Sequence, residues 1–143
     1  MDDLDRSILG FLGSDARVSV ATLARRLKVA RSTIQARLER LETTGVIAGY
    51  TVKLGEAARQ ARIRATVLLT IEPRAQANVL SRLKAIPEVE RVHTTSGRVD
   101  FLLQVAAPST TVLDGVLDQI GEMTGVKGSE SLIHLSTKFD RAV

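Results

Sequence analysis

At 143 residues the chain has room for one domain or two small ones, and its 44% hydrophobic and 25% charged residues are ordinary for a soluble globular protein. No apolar run reaches the roughly 18 residues of a transmembrane helix, and the acidic opening MDDLDRS lacks the apolar stretch of a signal peptide. The absence of cysteine excludes disulfides, thiol nucleophiles and thiolate metal sites, and it fits a reducing, cytoplasmic setting.

The net charge of +4 is unevenly spread. Residues 1–62 carry eleven Lys/Arg against seven Asp/Glu, whereas residues 63–143 carry nine of each. Arg17–Arg40 holds seven bases and one acid, Glu39. Such an asymmetry suggests a polyanionic partner, nucleic acid or membrane. A solvated helix face remains the plain explanation of any single charge.

In chain order, Asp3 is a candidate cap for a first helix, with Leu4, Ile8, Leu9 and Leu12 at helical spacing and an end near Gly13. Ser19 suits the cap of a second, with Val20, Leu23, Ala24 and Leu27 on one face. A third is expected from Arg31 to about Thr44, with Ile34, Leu38 and Leu41 inward and Gly45 as its stop. Only the short turn KVAR separates the second and third, the helix-turn-helix arrangement.

GVIAGYTVKL turns β-branched and alternating, a short strand leaving the third helix, and GEAARQAR reads as a linker with a helical turn. IRATVLLTI is a strand stopped by Glu72-Pro73. RAQANVLSRLKAI is a helix with Ala77, Leu80, Leu83 and Lys84 at helical offsets. EVERVHTTS and VDFLLQVAA are strands joined through Gly97-Arg98, a hairpin signal. STTVLDGVLDQIGEM is a helix capped by Ser109, and VKGSESLIHLSTKF is the last strand. The expected class is therefore α+β. A helix-turn-helix domain (1–50) and a connecting strand and linker (51–62) precede a ferredoxin-like βαββαβ domain (63–143).

With Ile34, Leu38 and Leu41 inward, Ser32, Thr33, Ala36 and Arg40 turn away from the core, and Arg31 and Gln35 flank them. Small side chains let a helix approach a major-groove floor. Gln and Arg make bidentate contacts to base edges, and Ser or Thr reaches bases or phosphates. Arg25, Arg26, Lys28 and Arg31 are placed as phosphate neutralisers and Arg40 toward bases. Arg37 lies nearer the core side, where an ion pair with an acid of the first helix is at least as good a reading as a DNA contact.

In SGRVDF, Gly97 can adopt positive φ and Asp100 follows three residues later. A carboxylate there can hold the ammonium of a small ligand while turn amides hold its carboxylate. Spacing alone favours a plain hairpin turn. His93 and His134 read as ordinary strand positions rather than metal ligands. No nucleophile elbow, phosphate loop or metal-ligand run occurs, so neither an enzyme nor a cofactor is expected.

The words LDRSILGFL, LARRL, RLERLETTGVIAGYTVKL and EVERVHTTSGRVDFLLQV, with the order of the two domains, resemble the Lrp/AsnC (feast/famine) transcriptional regulators over nearly the whole chain. The resemblance implies a DNA-binding N-terminal domain and a C-terminal domain that assembles the protein and senses amino acids. It implies dimers formed through the C-terminal sheets, with octamers built from four dimers. An effector site between neighbouring dimers is implied at Gly97, Arg98 and Asp100 with Ser129 and Ser131, where threonines are more usual. A second departure is Ala30-Arg31, where relatives often place a capping Ser and then Pro or another good first-turn residue. The expected function is a sequence-specific, double-stranded-DNA-binding transcriptional regulator responsive to an amino acid. The alternative is an architectural DNA-binding protein that needs no effector.

Overall fold

Helix α1 (Asp3–Ser14) starts from Asp2, not from the anticipated cap Asp3, and runs one residue past Gly13. Asp2 accepts the backbone N–H of Asp5 at 3.0 Å, and Asp5 accepts that of Asp2 at 3.2 Å, which closes a capping box. Asp3 cannot complete such a box, because the residue three positions on is Arg6, a donor. It binds the Arg6 guanidinium at 2.9 Å instead.

Helix α2 (Val20–Leu27) is capped by Ser19, whose hydroxyl accepts the N–H of Thr22 at 3.0 Å. Lys28 then enters the left-handed region at φ 55°, and the Val29 N–H reaches back to the Ala24 carbonyl at 3.1 Å. Three residues later α3 (Arg31–Thr43) begins, and Gly45 at φ 78° follows its end. Ile8, Leu23, Ala24, Ile34 and Leu41 form the buried centre of this three-helix unit.

The computed structural model describes residues 1–59 and 62–141. These divide into two compact units, one built on Met1–Lys53 and the other on Leu54–Asp140. The strand anticipated in GVIAGYTVKL does not form: no described strand pairs with it, and Tyr50, Val52 and Leu54 are exposed. A β-branched alternating segment becomes a strand only where a neighbour takes up its backbone N–H and C=O groups. The helical turn in the linker is α4 (Glu56–Arg59). Gln60 and Ala61 of that linker lie outside the described residues.

In the second unit β1 (Ile63–Ile71), α5 (Gln76–Lys84), β2 (Val89–Thr94), β3 (Phe101–Ala107), α6 (Thr110–Gly121) and β4 (Val126–Ile133) give the βαββαβ order. The sheet runs β2-β3-β1-β4 with all pairs antiparallel. Burial alternates along β1, with Ala65, Val67, Leu69 and Ile71 inward. These pack with Leu103 and Val105 of β3, Val79 and Leu83 of α5, and Leu113, Val116 and Ile120 of α6. The opposite sheet face carries Arg64, Thr66, Leu68 and Thr70; Thr66 is in register with Gln104 and Leu132, and Leu68 with Leu102 and Glu130.

Two expectations need correcting here. On α5 the inward stripe is Val79 and Leu83, one turn apart, whereas Ala77 and Lys84 are exposed. The last strand stops at Ile133, not at Phe139. Because Ala65 pairs with Ile133 and β1 begins at Ile63, the ladder has almost no template left beyond that point. His134 still donates its N–H to the Arg64 carbonyl at 2.9 Å, and its Nε2 lies 2.8 Å from the Thr66 hydroxyl.

Candidate nucleic-acid interface

The end of α2, the turn and the first turns of α3 bring most of the sequence-assigned DNA residues onto adjoining surface. Arg25, Arg26, Lys28, Arg31, Ser32, Gln35 and Ala36 are exposed and Thr33 is half-buried. The Arg26 guanidinium sits 5.7 Å from the centre of the Phe11 ring, a cation–π contact that leaves its charge toward solvent. Among the described residues no carboxylate pairs with Arg25, Lys28 or Arg31. The start of α3 has no side-chain cap: Ala30 occupies the N-cap position, and the helix begins at Arg31 without a shift. Its first N–H groups are therefore left to solvent or to an anion.

Arg40 is held differently from the expectation that it points at bases. Its Nη2 donates to Asp5 Oδ2 at 2.9 Å, while Arg37 Nη1 donates to Asp5 Oδ1 at 3.2 Å and also to Asp2. The cause lies in α1: Asp5 is 1% exposed, and a buried carboxylate needs cations and donors on both oxygens. Burial pushes the Asp5 carboxyl up, but the Asp2 backbone N–H and the two guanidiniums outweigh it and hold it below the usual range. Asp2, bonded to Arg37 and to the Asp5 N–H, is lowered to about 2. Arg37 is raised by its bonds to Asp2 and Asp5. Sequence reasoning assigned Arg37 an acid of the first helix but missed Asp5 itself. The signal was present in the spacing of Asp2 and Asp5, a three-residue capping-box interval.

In the second unit Gly97 has φ 117° as the turn requires. The loop closes through the Thr95 hydroxyl, which donates to the Val99 carbonyl at 2.6 Å, and the Thr95 N–H, which donates to the Asp100 carbonyl at 3.0 Å. Asp100 clamps the end of β1. Its N–H donates to the Leu69 carbonyl and its Oδ2 accepts the Ile71 N–H, both at 2.8 Å. Arg98 pairs with Glu130 of β4 at 3.2 Å. Ser129 and Ser131 are exposed on that edge strand, in register with Leu69 and Val67. Strand alternation thus sets the two serines on the face opposite Glu130, one strand away from Asp100. Asp100 stands at the end of β1, whereas Ser129 and Ser131 lie along the outer strand beside the middle and end of β1. A groove of about 470 Å³ in this unit is lined by other residues, among them Ile63, Thr111, Asp114 and Leu117.

Residues 64–143 match the Lrp/AsnC ligand binding domain, and residues 1–42 match the AsnC-type helix-turn-helix domain. The chain belongs to the Lrp/AsnC family. The HTH-type transcriptional regulator FL11 of Pyrococcus furiosus is 30% identical over 135 residues, which cover 94% of this chain and 89% of FL11. The structure of E. coli AsnC superposes with a TM-score of 0.90 at 26% identity, over 100% of this chain and 97% of AsnC. The complex of the transcriptional regulator NMB0573 with L-Met, from Neisseria meningitidis, shares the fold. It has a TM-score of 0.87 at 24% identity, over 98% of this chain and 93% of that one. This Lrp/AsnC protein is thus a helix-turn-helix transcriptional regulator, and α3 stands where such a domain carries its recognition helix.

Proposed function

We propose that this regulator binds double-stranded DNA sequence-specifically, with α3 in the major groove and an amino acid as effector. The observation that carries the reading is the set of cations that have no acidic partner among the described residues, Arg25, Lys28 and Arg31, bordering the exposed Ser32, Gln35 and Ala36. The cations, with Arg26, neutralise phosphates, and the uncapped start of α3 supplies further N–H donors to the backbone. Gln35, Ser32 and Thr33 read base edges while Ala36 permits close approach. Arg40 contributes mainly by holding the helix, with contact to DNA secondary.

Assembly follows from the sheet face that carries Leu68, Leu102 and Leu132, which a second copy covers in a homodimer; dimers associate into octamers. Two recognition helices then meet successive major grooves, so half-sites lie about one turn, roughly 10 bp, apart. The effector site takes Gly97, Arg98, Asp100, Ser129 and Ser131, completed between neighbouring dimers, and the L-Met bound by NMB0573 supports an amino acid as its ligand. No catalytic step or cofactor enters this reading, and the protein works in the cytoplasm on the chromosome.

A mobility-shift titration tests it: DNA upstream of the protein's own gene against random duplex of equal length, at about 150 mM salt, with and without pooled amino acids. Preference for the upstream fragment by about 10³ or more is expected of a specific regulator, with a shift on adding amino acids. Equal affinity for both duplexes indicates an architectural, effector-independent protein. Binding to neither overturns the DNA reading.

A further inference from the structure

We infer that Asp5 is a positioning residue for DNA recognition: it fixes the rotation of α3 about its own axis and so decides which side chains face the bases. The inference rests on the reading of α3 as the recognition helix.

Asp5 stands on α1, and its two oxygens hold two cations of α3 spaced one helical turn apart, Arg37 on Oδ1 at 3.2 Å and Arg40 on Oδ2 at 2.9 Å. Asp2 takes a second grip on Arg37, and the Asp2–Asp5 capping box fixes both acids to the start of α1. The apolar contacts of Ile34, Leu38 and Leu41 hold α3 against the unit, yet burial is non-directional and tolerates small rotations. Charge-assisted hydrogen bonds do not. A rotation of about 20° moves a side-chain tip at the helix surface by about 2 Å, which breaks a hydrogen bond. Ser32, Gln35 and Ala36 ride on the same rigid helix, so the grip at residues 37 and 40 sets their azimuth.

The grip also withholds charge. While Asp5 holds them, Arg37 and Arg40 are neutralised partners rather than free cations. Removing the Asp5 charge therefore loosens sequence reading and at the same time frees Arg40 for any phosphate, while Arg37 keeps its bond to Asp2. A residue that merely stabilised the fold would lower both kinds of binding together.

The test uses a 20-bp duplex enriched from a random pool by the full-length wild-type protein, and a random-sequence duplex of equal length. Affinities are corrected for the active fraction of each preparation. For Asp5→Asn the expected result is a preference for the enriched duplex at least about tenfold lower, with random-duplex affinity unchanged or higher. Adding Arg40→Gln to Asp5→Asn is expected to lower the preference by less than about threefold more, because both substitutions cut the same link. An unchanged preference in Asp5→Asn overturns the inference, as does an equal fall on both duplexes. If Asp5→Asn does not fold, Arg37→Gln and Arg40→Gln, each cutting one leg, decide it by the same ratio. Gln35→Ala is run alongside. Should it leave the preference intact, or no duplex enrich, the parent reading of α3 fails; should it lower the preference while Asp5→Asn does not, only the positioning role fails.

Discussion

Arg40 on α3 and Asp5 on α1 are joined by a 2.9 Å hydrogen bond, so a cation from the most basic stretch of the chain is bound to a carboxylate that is 1% exposed. The pairing makes the N-terminal unit sensitive to acid in a defined direction. Asp2 is lowered from 3.8 to about 2, chiefly by Arg37, and Asp5 is lowered as well, its bonds outweighing its burial. A depressed carboxyl stabilises the fold fully above its unfolded value and loses that contribution as pH falls toward the folded one. Urea midpoints of the N-terminal unit, followed by far-UV circular dichroism, are thus expected to stay level for these groups above about pH 5 and to fall between about pH 4 and 2. Arg37→Gln is expected to lower the midpoint at pH 7 and to flatten that decline.

Lys28 sets stability against binding. Its φ of 55° is a left-handed conformation that glycine adopts without strain. Lys28→Gly is expected to raise stability by about 1 kcal/mol. It also removes a phosphate cation, so affinity for every duplex falls and the slope of log K against log salt drops by about 1. A stability gain with an unchanged salt slope would place Lys28 away from the DNA.

Ala30 leaves the start of α3 without a side-chain cap. In thermal or urea unfolding, Ala30→Ser is expected to stabilise the N-terminal unit by about 1 kcal/mol, the usual worth of such a cap.

Gly125, just before β4, has φ 97°, and a Cβ there would stand 2.5 Å from Ala75 Cβ and 3.3 Å from Val79 Cγ2. Gly125→Ala combines backbone strain with a clash at the start of α5. It is expected to destabilise the C-terminal unit by roughly 2–3 kcal/mol in urea unfolding.

Periodicity made most of the fold legible. The helix caps Ser19 and Ser109 and the strand IRATVLLTI are local signals, each resolved within a few residues, and they stand where they were expected. What failed depended on partners distant in sequence. GVIAGYTVKL has strand composition but no strand partner among the described residues, and the last strand ends where β1 runs out of residues to pair with. At the candidate interface, Lys28 lies in the turn beyond α2, and exposure of Arg25, Arg31 and Gln35 follows from the helical wheel alone. The engagement of Arg40 does not, because it is decided by Asp5, thirty-five residues away. Asp100 shows the same limit. Its place in the turn is local, but its bond to the Ile71 N–H comes from the adjacent strand.

The central claim, that α3 reads bases, is tested most directly by Gln35→Ala on the enriched duplex, on its single-base variants and on random duplex. The account predicts a loss of about 1–3 kcal/mol on the enriched duplex, relaxed discrimination at one base pair in each half-site, and unchanged affinity for random DNA. Equal loss on every duplex, or none on any, would contradict it.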